Sequence, residues 1–125
     1  MFSLFLVMLG GALGSGARYL TGIATLRLFG PNFPFGTLTV NIVGGLAMGA
    51  LVGVLTRLSV PGESWRLLLA IGVLGGFTTF SSFSLDTANM LMRGDVATAL
   101  GYVLVSVIGS IAALFLGLTI VRVAA

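Results

Sequence analysis

The sequence contains no cysteine, no histidine and no lysine, and only 7% of its residues are charged. Without cysteine or histidine, the chain cannot form disulfides, lacks the usual ligands of soft metals and has no imidazole to act as a general base. Its six arginines and three acidic residues are scattered singly along 125 residues, unlike the basic patch of a nucleic-acid-binding protein. These absences argue against an enzyme and against a nucleic-acid partner.

Most of the remaining residues are apolar. Hydrophobic residues make up 58% of the chain, and its mean hydropathy is +1.19. A soluble domain of this length has too little interior to hide so much apolar surface from water, so we expect a bilayer around it. The N-terminal run MFSLFLVMLGGALGSGARY lacks the basic leader and small-residue cleavage site of a signal peptide, which predicts a retained first span.

Four segments are long and apolar enough to cross a membrane, which takes about 20 residues of helix. The predicted spans are about 2–28, 35–57, 65–92 and 96–123. They are separated by GPNFP (30–34), SVPGES (59–64) and RGD (93–95), where residues that end helices or form turns collect. The sequence therefore predicts an all-α membrane protein with a single four-span domain over residues 1–125 and no extramembrane domain.

Small residues recur at four-residue spacing in every predicted span. Such residues let membrane helices approach closely, and we interpret them as packing positions rather than binding positions. They are Gly10 and Gly14 in the first span, Gly45, Gly49 and Gly53 in the second, Gly72 and Gly76 in the third, and Gly109, Ala113 and Gly117 in the fourth.

The arginines give almost no preference for one orientation in the membrane. Arg57, Arg66 and Arg122 lie on the side of both termini, Arg27 and Arg93 lie opposite, and Arg18 lies within the first span. Membrane proteins are normally oriented by an arginine and lysine excess on the cytoplasmic side, which is nearly missing here. An antiparallel homodimer that inserts in both orientations follows as a hypothesis; a single orientation with a weak bias is the alternative.

Polar residues share helix faces in the second and fourth spans. Thr37 and Asn41 are four residues apart, and Tyr102, Ser106 and Ser110 repeat the same spacing. Each polar group inside a membrane needs a partner or a water-filled path. A single hydroxyl often bonds only to a backbone carbonyl of its own helix, but the amide of Asn41 is harder to explain in that way.

The third span has the densest polar signal, in the segment GVLGGFTTFSSFSLD. Paired glycines followed by hydroxyl residues make a continuous helix doubtful, and we predict a break in mid-membrane. Its freed carbonyls must bond to protein, water or a cation. Phe77, Phe80 and Phe83 follow at a spacing of three and are expected to project from one sector of the helix. Their electropositive ring edges can face an anion, although simple core packing is the alternative.

The charge inventory separates classes of transporter. A proton-coupled exporter needs an acid within the membrane, yet the first span contains only Arg18 and no predicted span contains a glutamate. This disfavours a small multidrug-resistance exporter, which needs a first-span glutamate. Asp86 is expected near a mouth, as an ordinary solvated helix-end residue. A path rich in donors suits the passive movement of a small anion, and a non-transporting assembly subunit remains the second alternative.

Three segments, GGALGSGARY, FGTLTVNIVGG and GGFTTFSSFS, together resemble the Fluc (CrcB) fluoride channels over nearly the whole chain. The resemblance implies a dual-topology homodimer with four helices per subunit, a broken third helix and two antiparallel pores. It also implies a structural sodium ion at the centre of the dimer interface. The expected function is passive export of fluoride through a bacterial inner membrane, which confers fluoride resistance.

The resemblance also assigns roles to residues. It places the ring edges of Phe80 and Phe83 and the amide of Asn41 against fluoride in the pore. The remaining assignments are a hydroxyl track of Thr37, Tyr102, Ser106 and Ser110, an aqueous vestibule containing Arg18, and a sodium site formed by the backbone carbonyls of Gly75 and Thr78 from both subunits.

Overall fold

The computed structural model describes residues 1–58 and 62–124, and these residues are helical apart from short connections. Helix α1 spans Phe2–Phe29 and α2 spans Phe35–Leu58. The third span is divided into α3 (63–77) and α4 (Phe80–Met92), and α5 spans Val96–Ala124. Within the described ranges, four helical stretches are long and apolar enough to cross a membrane. The predicted all-α, four-span architecture is therefore confirmed.

The helices extend up to two residues beyond the predicted spans, for reasons that lie at their ends. Gly30 has φ 81° and donates its N–H to the carbonyl of Leu26 at 2.9 Å, which extends α1 to Phe29. In the third span, Glu63 forms a 2.8 Å ion pair with Arg66, so the helix begins two residues early. Residues 59–61 of the predicted SVPGES turn lie outside the described residues.

The predicted RGD turn is a glycine-dependent helix end. Gly94 has φ 84°, a conformation that glycine adopts without steric cost. Its N–H donates to the carbonyl of Leu91 at 3.1 Å, and that of Asp95 donates to the carbonyl of Met90 at 2.9 Å. These two bonds form a Schellman motif that satisfies the last carbonyls of α4. The chain can then reverse within three residues and enter α5.

The helices pack mainly as two pairs, α1 with α3 and α2 with α5. Glycines bring the paired backbones into contact. A methyl group built on Gly76 would lie 2.6 Å from the carbonyl oxygen of Gly11, and one built on Gly45 would lie 2.6 Å from that of Ser110. Both distances are too short for a side chain, so these predicted packing positions do allow close helix approach, as expected for membrane helices.

Helix α3 differs from the others because Arg66–Leu74 are π-helical. The N–H of Gly75 donates to the carbonyl of Ala70, five residues earlier. A π-helix of nine residues is unusually long, and nothing in the sequence predicted it. The stretch lies against α1, where a methyl group on Gly10 would approach the Cα atom of Gly72 to 2.9 Å.

The exterior of the helices is apolar, and the buried core is small. On α5, Leu104, Ile108 and Phe115 are each about 60% exposed. This is expected of helices surrounded by lipid. The described core is a cluster of Phe83, Met90, Ala99 and Tyr102 between α4 and α5. It fixes Phe83 on the inner side of α4, in contact with Tyr102 of α5.

Candidate functional site

The third span is interrupted at two residues. Thr78 (φ −86°, ψ 158°) and Thr79 (φ −152°, ψ 117°) are extended, which confirms the predicted break. Thr79 then caps α4, because its Oγ1 accepts a hydrogen bond from the N–H of Ser82 at 3.1 Å. The break therefore brings the end of α3 and the beginning of α4 within two residues of each other.

Asn41 of α2 is bonded to the break at two points. Its Nδ2 donates to the carbonyl of Thr79 at 3.0 Å, and its Oδ1 accepts the N–H of Thr79 at 2.8 Å. A side-chain amide has two N–H groups, so one remains for another acceptor. Asn41, the predicted pore donor, is thus also hydrogen-bonded to the backbone at the break.

Arg18 of α1 lies on the other side of the break. Its Nε donates to the carbonyl of Gly76 at 3.1 Å, and the residue also lines a cavity of about 530 Å³. This cavity lies between α1, the α1–α2 connection, the start of α2 and α4. Its lining includes Thr37 and the charged residues Asp86 and Arg93. We call it the vestibule cavity; the vestibule role of Arg18 stays a prediction.

A second concave region, of about 440 Å³, lies between α2, the break, the start of α4 and α5. Its lining joins five of the predicted pore residues: Asn41, Phe80, Phe83, Ser106 and Ser110. We call it the pore groove. No charged side chain is among the described residues that line it. Thr79 lines both the groove and the vestibule cavity, and it is the residue that Asn41 holds.

The two phenylalanines in the groove are in contact but differ in exposure. Their ring centroids are 5.4 Å apart, and Phe80 is 76% exposed whereas Phe83 is 8% exposed. The expectation that Phe77 shares their sector is wrong. Phe77 precedes the break, which interrupts the helical rotation, and it does not line the groove, although its ring approaches the position of Gly44, which does.

The predicted hydroxyl track is divided between different surroundings. Thr37 lines the vestibule cavity, whereas Ser106 and Ser110 line the pore groove. Ser106 is 6% exposed, and its Oγ is the buried side-chain oxygen without a hydrogen-bond partner among the described residues. Tyr102 lines neither region; it lies behind Phe83, with ring centroids 5.2 Å apart.

Asp86 lines the vestibule cavity, but it does not lie at a helix end as the sequence predicted. It lies in the middle of α4, half-buried, and its Oδ2 accepts a 3.0 Å hydrogen bond from the hydroxyl of Tyr102. It is therefore not an ordinary solvated helix-end residue. Its position as the one acid inside the predicted spans was the available signal, because an intramembrane acid needs a partner.

The residues predicted to hold sodium lie at the break. Gly75 is exposed and Thr78 is half-buried. Among the described residues, no group of three histidines, cysteines or carboxylates could hold a metal ion. The carbonyl of Gly75 would bond to the N–H of Thr79 in a continuous helix, but Asn41 takes that N–H. Carbonyl oxygens freed in this way are the kind of ligand that hard cations prefer.

Comparison with known proteins identifies the family of the chain. The family model described as CrcB-like protein, Camphor Resistance (CrcB), matches residues 5–118. A protein of Mesorhizobium japonicum named fluoride-specific ion channel FluC is 53% identical over 122 residues, covering 98% of each chain. Proteins with the same name from Caulobacter sp. (strain K31) and Chelativorans sp. (strain BNC1) are 55% and 56% identical, covering 98% of this chain and 96% and 98% of their own. These names describe ion channels rather than enzymes, as predicted, and the chain belongs to the CrcB family.

Proposed function

We propose that this chain forms a passive, fluoride-selective channel. The observation that carries the proposal is the pore groove, which combines an amide, hydroxyls and phenyl rings without a charged side chain among its described lining. A fixed positive charge would hold an anion tightly, and a carboxylate would repel it. Neutral donors allow an anion to enter and leave. The names of relatives at about 50% identity support fluoride as the ion.

Selectivity for fluoride follows from its size and hydration. The ion is small and strongly hydrated, so a selective path must be narrow and must replace its water with well-placed donors. The free N–H of Asn41, the hydroxyls of Ser106 and Ser110, and the positive edges of Phe80 and Phe83 are such groups. Chloride is larger and would fit this set poorly. Thr37 adds a hydroxyl to the vestibule cavity, and the hydroxyl of Tyr102 donates to Asp86, which also lines that cavity.

The vestibule cavity would serve as the aqueous entrance. Arg18 and Arg93 give it positive charges that attract anions from solution, with Asp86 as an opposing charge. Thr79 lies where the cavity meets the pore groove. At this residue an anion would pass from the charged cavity to the uncharged groove. Gradual replacement of water by protein donors keeps the barrier low.

We propose that the channel is an antiparallel homodimer with two pores. The pore groove is open on one side, and Phe80 is 76% exposed although it carries a predicted pore role. A second copy across the groove would enclose it. The nearly balanced arginines support insertion in both orientations, which an antiparallel pair requires.

A structural sodium ion at the dimer centre fits the break. Gly75 is exposed, and the N–H that would occupy its carbonyl is bonded to Asn41. Backbone carbonyls of Gly75 and Thr78 from two subunits would hold the ion. Its positive charge would offset the partial negative charges of these carbonyl oxygens at the two breaks, one in each subunit. Replacing sodium by a large organic cation is expected to weaken the dimer, as measured by subunit exchange. Unchanged exchange would show that protein groups alone satisfy the break.

The physiological role that follows is fluoride resistance in a bacterial inner membrane. Hydrofluoric acid is weak and crosses membranes as the neutral molecule, after which it ionises in the cytoplasm. The trapped anion can then leave through a channel down its own gradient. No energy source is required, which agrees with the absence of an acid among the described residues that line the pore groove.

The experiment that tests the function is anion efflux from liposomes that contain the purified protein and a potassium ionophore. Fluoride and chloride traces are recorded with ion-selective electrodes. We expect fast fluoride efflux and no chloride efflux. If folded dimers release no fluoride, the chain is better explained as the assembly subunit, for which glycine packing would suffice.

A further inference from the structure

Two side chains from different helices bond to the backbone of the break. Arg18 of α1 donates to the carbonyl of Gly76, and Asn41 of α2 bonds to both the N–H and the carbonyl of Thr79. These contacts lie on the two sides of Thr78. The interruption therefore has a bonded partner on each flank rather than two loose helix ends.

The two contacts replace the bonds that would close the break. In a continuous α-helix, the N–H of Thr79 would donate to the carbonyl of Gly75, and that of Phe80 would donate to the carbonyl of Gly76. Instead, the N–H of Thr79 donates to Asn41 Oδ1 at 2.8 Å. The carbonyl of Gly76 accepts a hydrogen bond from Arg18 Nε at 3.1 Å. Each side chain thus competes with one helical hydrogen bond.

Both contacts are also suited to the local electrostatics. The carbonyls at the end of α3 carry the negative pole of that helix, and a guanidinium is stabilised there. A hydrogen bond from an ionised donor is about twice as strong as a neutral one. Asn41 offers both a donor and an acceptor, which match the extended backbone of Thr79 at two points.

We propose that Arg18 and Asn41 are positioning residues that hold the third span open at Thr78 and Thr79. By fixing Thr79, they set the junction between the vestibule cavity and the pore groove. This assigns Arg18 a role besides attraction of anions, and Asn41 a role besides donation to the ion. The consequence for conduction rests on the proposed channel function, whereas the conformation of the break does not.

The test is a backbone measurement on the full-length protein in lipid nanodiscs. Carbon-13 shifts of the Cα and Cβ atoms report the conformation of single residues. Thr78 and Thr79 are expected to give extended values in the wild type. In Asn41→Ala and in Arg18→Gln, their shifts are expected to move toward helical values, because the competing helical bonds are restored.

Matched variants separate the proposed role from general effects. Asn41→Asp keeps the acceptor for the N–H of Thr79 and is expected to retain the extended shift there. Ser106→Ala removes a groove hydroxyl, and Arg27→Gln removes an arginine from the exposed end of α1. Neither should change the shifts of the break. Helical shifts in the wild type, or unaltered shifts in both Asn41→Ala and Arg18→Gln, would overturn the proposal.

Efflux from liposomes gives a second readout. Asn41→Ala and Arg18→Gln are each expected to lower fluoride efflux roughly tenfold, the effect of about one strong hydrogen bond. Arg27→Gln should not lower it. If the wild type releases no fluoride, the channel function fails while the shifts still decide how the break is held. If the shifts move in these variants but efflux does not, the break does not set the junction.

Discussion

The vestibule cavity and the pore groove meet at Thr79 but differ in composition. The cavity contains Arg18, Asp86 and Arg93, whereas the described lining of the groove contains no charged side chain. Both have similar volumes, about 530 and 440 Å³, so size does not distinguish them. The difference indicates a division of tasks: charges attract a hydrated ion, and neutral donors replace its water without trapping it.

The largest effect is expected when the groove is given a charge like that of the cavity. In Ser110→Asp, repulsion between the carboxylate and an anion about 4 Å away would be about 4 kcal/mol at an effective dielectric constant of 20. We expect fluoride efflux at neutral pH to fall at least about 100-fold. Thr98→Asp is the control, because Thr98 is exposed in the first turn of α5, where the helix dipole tolerates a carboxylate. Near-normal efflux in Ser110→Asp dimers would show that the groove is not the path.

A smaller effect is expected when the groove loses its ring edges but keeps its apolar character. Phe80→Ile and Phe83→Ile should each depress fluoride efflux roughly tenfold while the dimer still forms, because isoleucine has no electropositive edge. Phe115→Ile is the control, since Phe115 is 62% exposed on α5 and lines neither region. Unchanged efflux in both groove variants would remove the ring-edge mechanism.

Ser106 allows function and stability to be separated within the groove. Its Oγ is buried without a hydrogen-bond partner among the described residues. Ser106→Ala should therefore leave stability unchanged or raise it by about 1 kcal/mol, measured by denaturant unfolding. Fluoride efflux should fall a few-fold, because a donor to the ion is lost. If stability falls instead, the hydroxyl has a structural partner and its role is packing.

The smallest effect is expected at the rim of the vestibule cavity. The side chain of Arg93 is 59% exposed and lies 3.6 Å from a carboxylate oxygen of Asp95. Arg93→Gln should lower fluoride efflux only about twofold at low ionic strength, and the difference should vanish near 1 M salt because exposed charges are screened. Arg57→Gln serves as the control at the exposed end of α2. A loss that persists in high salt would indicate a direct contact with the ion.

Local patterns in the sequence were sufficient for the approximate helix bounds and for the break, but not for the π-helical stretch of α3. The helix ends follow from residues such as Gly94, which the turn requires, and the interruption follows from GGFTTFSS in an otherwise apolar span. The same reasoning failed where the outcome depended on rotation about the helix. Phe77 lies at a spacing of three from Phe80, yet the break places it elsewhere because helical periodicity does not continue through extended residues.

The sequence by itself determined the environment, the number of spans and the types of chemical group available, because these depend on composition and on the length of apolar runs. Only the tertiary structure decided which groups meet. It joined Tyr102 to Asp86, Arg18 to Gly76 and Asn41 to Thr79 across 16, 58 and 38 residues of chain. Such contacts depend on how helices pack, and packing through glycines fixes distances that no local pattern contains.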